Sequence, residues 1–416
     1  MPFLRARRQQ RNSVDKITVV HIITRLELGG AQQNTLFTVA HLDRERYAPV
    51  LISGTEGLLV DEARHLPGVR TLLIPELVRE IRPLKDLTAL IKIVRILRMF
   101  KRRVRGRGGT TDGAIIVHTH SSKAGILGRW AAWLAGIRCI IHTVHGFSFH
   151  QFQPRLTRAV YVFLERITAS ITSAFILVSR ANMEEGIREK LFTPDKSVLI
   201  RSGIDISEYQ SVQCDRMAVR ATLGIANGDP VVAMVACFKP QKAPLDFIKT
   251  AHLVLAEYPE AEFLMVGDGE LRSRIEALAD ELHIADKVHL VGWRTNVPQI
   301  MHAIDLLVLT SLWEGLPRVL PQAMAAGIPV VASDVNGSRE AIRDGFNGFL
   351  MQPHDIQGMA GKILYLLKHP EEARAMGRNG TGMVQEFDIW TMLRQQEQLY
   401  ARVSTSRCGD HCGPRP

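Results

Sequence analysis

Cysteine, aromatic residues, acidic residues and long apolar runs are all scarce in this chain. Its 416 residues include five cysteines, scattered and odd in number, which argues against a disulfide framework and favours a reducing compartment such as the cytoplasm. Aromatic residues make up 6% of the chain, too few for a base-stacking surface, and no nucleic-acid-binding motif is present. Nucleic acid is therefore not expected as a partner.

A membrane span and a secretion signal are not expected either. No run of 18 apolar residues occurs, and the most apolar region, Ala124 to Ile141, is interrupted by Arg129 and Arg138. That region is typical of a buried helix followed by a buried strand. The N-terminal stretch MPFLRARRQQRNSVDK is basic but is not followed by the apolar core of a signal peptide.

The shortage of acidic residues leaves the chain positively charged, which indicates an anionic partner. Lysine and arginine number 52 against 42 acidic residues, a formal charge of +10. Eight of the basic residues and no acid lie between Lys92 and Arg107, interleaved with apolar residues. This segment is compatible with a peripheral contact on the inner, anionic face of the cell membrane, and equally with a solvated helix that runs into a basic loop.

Short β-rich runs alternate with longer helical patterns along almost the whole chain, which predicts an α/β fold. Near-continuous apolar strands such as AIIVHTH and DLLVLTS indicate parallel sheets covered on both faces. The pattern occurs twice, so we expect two Rossmann-like, doubly wound domains facing a central cleft. The predicted segments are a basic tail (1–15), a first domain (16–196), a second domain (197–386), a helix crossing back to the first domain (387–403) and a disordered tail (404–416).

The stretch SLWEGLPRVLPQAMAAGIPVVAS places one acid at a turn between a buried strand and a helix. Pro321 lacks an N–H and must lie in the first helical turn, so the helix is predicted to begin near Arg318, and Gly327 ends it at Ala326. Backbone N–H groups near that start can bind a phosphate. Glu314 would be repelled by a phosphate, so it is expected to hold something else, such as a sugar hydroxyl.

These segments together resemble glycosyltransferase family 4, the retaining transferases of the GT-B fold that use nucleotide-sugar donors. The resemblance covers roughly Lys16 to Val403 and depends on the order and spacing of several short matches. They are TRLELGGAQQNTL, VHTHSSKAGILGRWAA, HTVHGF, IRSGID, KPQKAPLDFI, LMVGDGE, LVGW and the stretch around Glu314.

The resemblance implies a donor site on the second domain and an acceptor site on the first. The implied catalytic residues are Glu314 and His145, which contact the donor sugar, and Lys242, which contacts the donor diphosphate. His120 is expected on the acceptor side. The expected donor-binding residues are Gly29, Gly30, Lys239, Val291, Gly292, Gly315, Leu316, Pro317, Arg318 and Gln322.

Two positions depart from the family pattern. The family pairs two glutamates in a Glu-x7-Glu motif, but Gln322 stands at the second position, where an amide can still bind ribose hydroxyls without the charge. The family also places an arginine five residues before the lysine, and here that position is Cys237. Lys239 is a candidate replacement for the missing cation and could equally be a surface lysine of the loop.

The predicted function is transfer of a sugar from a nucleotide diphosphate donor, with UDP-sugars as the type case, to an acceptor hydroxyl with retention of configuration. A lipid-linked saccharide or another glycan of surface polysaccharide synthesis is the expected acceptor. No Asp-x-Asp motif occurs, so no metal is expected. The alternatives are a sugar-nucleotide epimerase or inverting transferase of the same fold, and a donor-binding subunit that does not catalyse.

Overall fold

The computed structural model describes residues 16–106, 114–149, 153–225 and 228–409. The predicted N-terminal tail (1–15), Arg107 and the last part of the predicted C-terminal tail lie outside the described residues. Two compact units are present. One comprises the chain up to Leu177, Met183–Ile200 and the chain from Leu393 onward, and the other comprises Val178–Asn182 and Arg201–Met392.

The first unit is built on a seven-stranded, all-parallel sheet with the strand order β3-β2-β1-β4-β5-β6-β7. Its strands are β1 (Ile17–Ile22), β2 (Tyr47–Ser53), β3 (Arg70–Leu73), β4 (Ile115–His120), β5 (Cys139–Val144), β6 (Ala174–Leu177) and β7 (Ser197–Leu199). The connecting helices are α1 (Gly30–His41), α2 (Val60–His65), α3 (Pro83–Gly106), α4 (Ser122–Leu134), α5 (Arg155–Ser170) and α6 (Arg180–Arg188).

The central strands of this sheet have no polar face, because helices cover both sides. All six residues of β4 and all six of β5 are buried, so histidines and threonines in them must find partners inside the protein. Strand β7 pairs with β6, although it follows the predicted boundary before residue 197. The change between units therefore falls after Ile200.

The second unit contains a six-stranded parallel sheet with the order β10-β9-β8-β11-β12-β13. Its strands are β8 (Val231–Val235), β9 (Glu262–Val266), β10 (Val288–Leu290), β11 (Leu306–Leu309), β12 (Val330–Ser333) and β13 (Gly348–Met351). Its helices are α7 (Ile206–Gln210), α8 (Arg216–Thr222), α9 (Pro244–Glu257), α10 (Arg272–Glu281), α11 (Val297–Ala303), α12 (Val319–Ala325), α13 (Asn336–Ala341), α14 (Ile356–Lys368) and α15 (Pro370–Met383).

The last helix, α16 (Ile389–Gly409), continues beyond Val403, where the sequence predicts its end. From Leu393 onward it belongs to the first unit, where the Tyr47 hydroxyl donates to the Glu397 carbonyl at 3.1 Å and Tyr400 is fully buried. Two doubly wound parallel sheets are thus present, as the alternation of strands and helices predicts. None of the described helices is long and apolar enough to cross a membrane.

The basic segment from Lys92 lies within α3, and its apolar residues face inward. Ile93, Val94, Leu97 and Phe100 are buried in the core of the first unit. The basic side chains lie on the other face, where Arg98 donates to the Leu134 carbonyl at 3.2 Å and Lys101 to the Gly136 carbonyl at 2.6 Å. This half of α3 therefore offers charge to the solvent and keeps its apolar residues in the core.

Candidate active site

The second sheet has a topological switch point at β8 and β11, the adjacent strands from which the chain winds in opposite directions. Ligands of doubly wound sheets bind at such a point, beyond the carboxyl ends of the strands. The loop after β8 contains Lys239 and Lys242, and the loop after β11 contains Glu314. Chain topology alone therefore brings these two loops to the same end of the sheet.

Lys242 and Glu314 form an ion pair across this point. The Lys242 ammonium donates to Oε1 of Glu314, and the Ser311 hydroxyl donates to the same oxygen at 2.6 Å. The lysine side chain is 16% exposed and the glutamate side chain 7%. A carboxylate so shielded from water is held in one orientation, because both of its hydrogen-bond donors are fixed.

Further hydrogen bonds hold the two loops together. The Thr310 hydroxyl donates to the carbonyls of Lys242 at 2.8 Å and Ala243 at 3.0 Å, and the Gln241 amide donates to the Trp313 carbonyl at 2.8 Å. Ala243 has a positive φ of 43°, an unfavourable backbone region for a residue with a Cβ atom. The loop keeps this conformation because the contacts on either side of it leave no alternative.

Gly337, at the start of α13, packs directly beneath the Glu314 turn. An added Cβ atom at Gly337 would lie 2.6 Å from the Gly315 carbonyl oxygen and 2.9 Å from the Glu314 Cβ atom. No side chain fits in this space unless the turn moves. The absence of a side chain at residue 337 therefore fixes the position of the turn that carries Glu314 after β11.

Helix α12 begins at Val319 and ends before Ala326, so the prediction from Pro321 and Gly327 is confirmed to within one residue. The Leu320 N–H donates to the Pro317 carbonyl at 3.1 Å, so it is not one of the unpaired N–H groups expected from Leu316 to Leu320. The Arg318 side chain is turned to the Gly203 carbonyl, at 2.9 Å, and burial lowers its pKa.

The remaining predicted donor residues differ in their surroundings. Gly315, Leu316 and Pro317 are buried, whereas Gln322 is half-buried on α12. Lys239 is half-buried at the start of a 3-10 turn, Pro240–Lys242, and the neighbouring Cys237 is a half-buried free thiol.

A second predicted group lies after β9 and β10 of the same sheet. Val291 and Gly292 are half-buried, and the Gly267 N–H donates to the Gly292 carbonyl at 2.9 Å. Asp268 accepts from the Gly269 N–H at 2.7 Å and from Arg272 at 3.3 Å. These bonds give Asp268 a turn-forming role.

In the first unit the switch point lies at β1 and β4. The Thr24 hydroxyl, after β1, contacts the Ser121 hydroxyl, after β4, at 2.8 Å, and Thr24 also accepts from the Ala124 N–H at 3.1 Å. Gly29 caps α1 in an extended conformation (φ −149°) and Gly30 is its first residue. Neither glycine adopts a positive φ, so a left-handed turn does not explain the pair.

Histidines of β4, of β5 and of the loop after β5 lie close together inside the first unit. His120 Nδ1 lies 3.1 Å from His145 Nε2, so the predicted acceptor-side histidine touches the predicted sugar-contacting one. His118 and His142 lie within β4 and β5 and are bonded to the Thr143 hydroxyl at 2.7 Å and the Thr119 hydroxyl at 2.9 Å.

Sequence reasoning missed two members of this group, His21 and Tyr400. Nδ1 of His21 lies 3.0 Å from Nε2 of His120, and Nε2 of His21 lies 3.3 Å from the Tyr400 hydroxyl. His21 could have been found, because it occupies on β1 the register position of His118 on the adjacent β4. Tyr400 has no such signal, since it comes from a helix far along the chain.

Two family models match consecutive parts of the chain. The model for glycosyltransferase family 4 matches residues 28–208, and the model for group 1 glycosyl transferases matches residues 215–383. A galactosyltransferase of Escherichia coli is 33% identical over 352 residues, which cover 84% of this chain and 87% of the relative. The chain is a member of glycosyltransferase family 4.

Other relatives of this family 4 glycosyltransferase agree with that membership. The Escherichia coli relative is described as a UDP-Gal:alpha-D-GlcNAc-diphosphoundecaprenol alpha-1,3-galactosyltransferase. The putative glycosyltransferase EpsD of Bacillus subtilis (strain 168) is 28% identical over 293 residues, covering 69% of this chain and 76% of EpsD.

Solved structures establish that the transferase has the GT-B fold. HepE from Anabaena, crystallised with UDP and glucose, superposes with a TM-score of 0.77 at 22% identity and covers 93% of this chain and 100% of its own. The glycosyltransferase WaaG, involved in lipopolysaccharide biosynthesis, superposes with a TM-score of 0.74 at 16% identity, covering 92% and 99%. The predicted fold is therefore confirmed, and the predicted enzyme class is confirmed by the family models and the Escherichia coli relative.

Proposed function

We propose that this transferase moves a hexose from a UDP-sugar to a hydroxyl of a lipid-linked saccharide in surface polysaccharide synthesis, with retention of configuration. The observation that carries the proposal is the Lys242–Glu314 pair at the switch point of the second sheet. The donor and acceptor are taken from the described activity of the Escherichia coli relative, and UDP is also the nucleotide bound to HepE.

Lys242 is proposed to bind the donor diphosphate. Its ammonium has three N–H groups. One of them donates a hydrogen bond to Glu314, so the others can stabilise the negative charge that grows on the leaving diphosphate. The turn residues Gly315, Leu316 and Pro317 and the half-buried Arg318 follow Glu314 in the chain, and the backbone N–H groups among them are proposed as the second contact of the phosphates. A cation already held in place needs no reorganisation when the glycosidic bond breaks, which is why it lowers the barrier.

Glu314 is proposed to bind hydroxyls of the donor sugar, and His145 is proposed as a further contact of the sugar. The carboxylate is already oriented by Ser311 and Lys242, so it can accept sugar hydroxyls with little loss of side-chain freedom. The sugar becomes oxocarbenium-like in the transition state, and acceptors fixed around it favour that charge. The acceptor hydroxyl attacks on the leaving-group face, and a phosphate oxygen takes its proton.

The other donor contacts are proposed from the family pattern. Gln322 binds the ribose hydroxyls, Val291 and Gly292 lie beside the base, and Gly29, Gly30 and Lys239 approach the phosphates. No metal is assigned a role, because the contacts to the diphosphate come from a lysine and backbone amides. His120 remains assigned to the acceptor side.

A second candidate function is a donor-binding subunit without turnover. Cys237 and Gln322 favour it, since each replaces a charged residue of the family pattern. The two functions differ in one measurable respect, which is whether the bound sugar leaves the nucleotide.

Peripheral binding to an anionic bilayer is also proposed, through α5 together with the basic face of α3. Leu156, Val160, Phe163, Leu164 and Ile167 form a stripe on α5 whose side chains are 39–78% exposed. Arg155 and Arg166 are exposed beside the stripe, and the one acid on α5, Glu165, is buried against Arg129. An apolar stripe flanked by cations and free of exposed acid matches the chemistry of an anionic lipid surface.

The catalytic proposal is tested with purified protein, a panel of UDP-hexoses and a lipid-diphosphate saccharide acceptor. Glu314→Ala is expected to lower transfer by roughly 100-fold or more while UDP binding, measured by calorimetry, is kept. The control is Glu371→Ala, which removes an exposed glutamate on α15 and should leave transfer unchanged.

Three outcomes would contradict parts of the proposal. Full transfer activity of Glu314→Ala would show that Glu314 is not part of the active site. A product with inverted anomeric configuration, detected by NMR, would show that the enzyme does not retain configuration. Tight binding of a UDP-sugar by the unaltered protein, with neither transfer nor slow hydrolysis for any donor, would establish the non-catalytic alternative.

A further inference from the structure

A continuous line of hydrogen bonds runs through buried side chains of the first unit and ends at His145. Each ring nitrogen in the line has a partner, and the contacts join β1, β4, β5 and α16. The line consists of His145 Nε2 to His120 Nδ1 (3.1 Å), His120 Nε2 to His21 Nδ1 (3.0 Å), His21 Nε2 to the Tyr400 hydroxyl (3.3 Å), that hydroxyl to His118 Nδ1 (2.6 Å), and His118 Nε2 to the Thr143 hydroxyl (2.7 Å). We call these six residues the histidine line.

The inner members of the histidine line are electrically neutral at physiological pH. His21, His118 and Tyr400 are 0% exposed, and His120 is 3% exposed. Burial lowers the pKa of His21 to about 3, and burial with the neighbouring rings holds the pKa of His118 and His120 well below the ordinary value. Burial raises the pKa of Tyr400 well above 10. His21, His118 and His120 therefore each carry one N–H and one lone pair.

The Tyr400 hydroxyl sets the direction of the protons between itself and His145. It lies 2.6 Å from His118 Nδ1 and 3.4 Å from Oε1 of Gln396, and donating its proton to either one leaves its oxygen to accept from His21 Nε2. His21 Nδ1 then accepts from His120 Nε2, and His120 Nδ1 accepts from His145 Nε2. Reversing one of these protons would place two donors or two lone pairs face to face inside the core, which costs the desolvation penalty of a buried unpaired group.

We propose that the histidine line places a proton on Nε2 of His145, and that Tyr400 and His21 are positioning residues for the sugar contact made by His145. This inference deepens the proposed function and rests on it for the role of His145. His145 is half-buried and is the member nearest the solvent. The Tyr400 hydroxyl links the proton on this nitrogen to the C-terminal helix α16.

A metal ion is the competing interpretation of the same group. Ligand atoms of His21, His118 and His120 lie within 4.8 Å of one another. These nitrogens are already paired with other groups, however, and the set contains no carboxylate or thiolate among the described residues. The burial that disfavours a protonated histidine here also disfavours a divalent cation that no anion neutralises.

The experiment compares Tyr400→Phe with Tyr47→Phe. Tyr47 is a matched control, because it is also buried against α16 and also loses one hydroxyl hydrogen bond, to the Glu397 carbonyl at 3.1 Å, but it is not part of the line. In histidine-15N NMR spectra at neutral pH, the unaltered protein and Tyr47→Phe should show His145 with its proton on Nε2. Tyr400→Phe should show a mixture of tautomers at His145, because the line is cut in the middle.

A second control lies on the other side of Tyr400. Thr143→Val removes the hydroxyl at the far end of the line with little change of shape, and it should leave the tautomer of His145 unchanged. A mixture of tautomers in the unaltered protein, or a proton on Nδ1 of His145 alone, would overturn the proposal, as would an unchanged tautomer in Tyr400→Phe. Metal in roughly equimolar amount in the purified protein, with histidine shifts typical of coordination, would overturn it as well.

Activity separates this proposal from the function on which it rests. Tyr400→Phe should lower kcat about tenfold, with a smaller change in KM for the UDP-sugar, whereas Tyr47→Phe should leave both unchanged. If the tautomer of His145 changes in Tyr400→Phe but kcat does not, the line holds the tautomer and the proposed contact of His145 with the sugar is wrong.

Discussion

Single residues at the switch point of the second sheet determine how its candidate site is held. Glu314 is fixed from three sides, by Lys242, by Ser311 and by the close approach of Gly337. The first two contacts set the direction of the carboxylate, and the third sets the position of the turn. A change at Gly337 should therefore affect the site without touching any polar group in it.

We expect Gly337→Ala to destabilise the protein by about 1–3 kcal/mol and to lower transfer, because the new methyl group meets the Gly315 carbonyl at 2.6 Å and pushes the turn. The matched control is Gly361→Ala in α14, where an added Cβ atom has open space within 4 Å. That change should stabilise the helix by roughly 0.5–1 kcal/mol and leave transfer unchanged. Urea unfolding and the transfer assay measure the two effects, and equal results for both variants would contradict the packing argument.

At the scale of elements, the exposed apolar stripe of the first unit lies on α5 and not on the basic half of α3. The segment from Lys92 has the charge pattern of a membrane-surface helix, but its apolar residues lie in the core. Helix α5 is less conspicuous in the sequence, yet its apolar stripe is exposed. Their surroundings differ because α3 packs closely on α4, whereas α5 packs less extensively on α4 and its outer face has no helix over it among the described residues.

Replacing Leu156 and Phe163 together by glutamine should weaken binding to phosphatidylglycerol vesicles by roughly tenfold or more, because a buried leucine or phenylalanine contributes about 1.5–3 kcal/mol. The control is Leu253→Gln on α9, a partly exposed leucine of the second unit. Vesicle co-sedimentation measures the change. Unchanged binding of the double variant would contradict the proposed membrane-binding surface. Equal binding of the unaltered protein to neutral phosphatidylcholine vesicles would contradict it as well.

At the scale of the whole molecule, the buried histidines make stability depend on pH. His21, His118, His120 and His142 are all held neutral by burial, with the pKa of His21 lowered to about 3 and the others well below 6.5. In the unfolded chain they bind protons below about pH 6.5. The unfolded state then binds more protons than the folded state, so stability is lost as pH falls from about 6.5 toward 3.

We therefore expect the first unit to melt at a clearly lower temperature at pH 5.5 than at pH 7.5, since each such histidine contributes up to about 1.4 kcal/mol per pH unit in this window. Calorimetry on His21→Asn should give a shallower pH dependence than the unaltered protein. His65→Gln, at an exposed position on α2, should leave the dependence unchanged. A melting temperature that is flat between these pH values would contradict the burial of neutral rings.

Local patterns in the sequence were enough to predict the two sheets, the helix that starts near Arg318 and the family to which the chain belongs. Strand and helix periodicities, proline and glycine act over a few residues, so they can be read directly from the chain. Glu314 and Lys242 were singled out in the same way, through the spacing of their motifs. The ion pair between Lys242 and Glu314 could not be predicted, because it depends on which strands become neighbours in the sheet.

Only the tertiary structure decided that His21 and Tyr400 meet, that the apolar stripe of α5 stays uncovered and that the basic face of α3 is backed by core. Residues 21 and 400 are separated by 379 positions, and their contact exists because β1 lies beside β4 and α16 packs against both. Sequence by itself determined which elements form, since that is a local property. Tertiary packing decided which side chains share a buried space, because it alone sets which distant elements become neighbours.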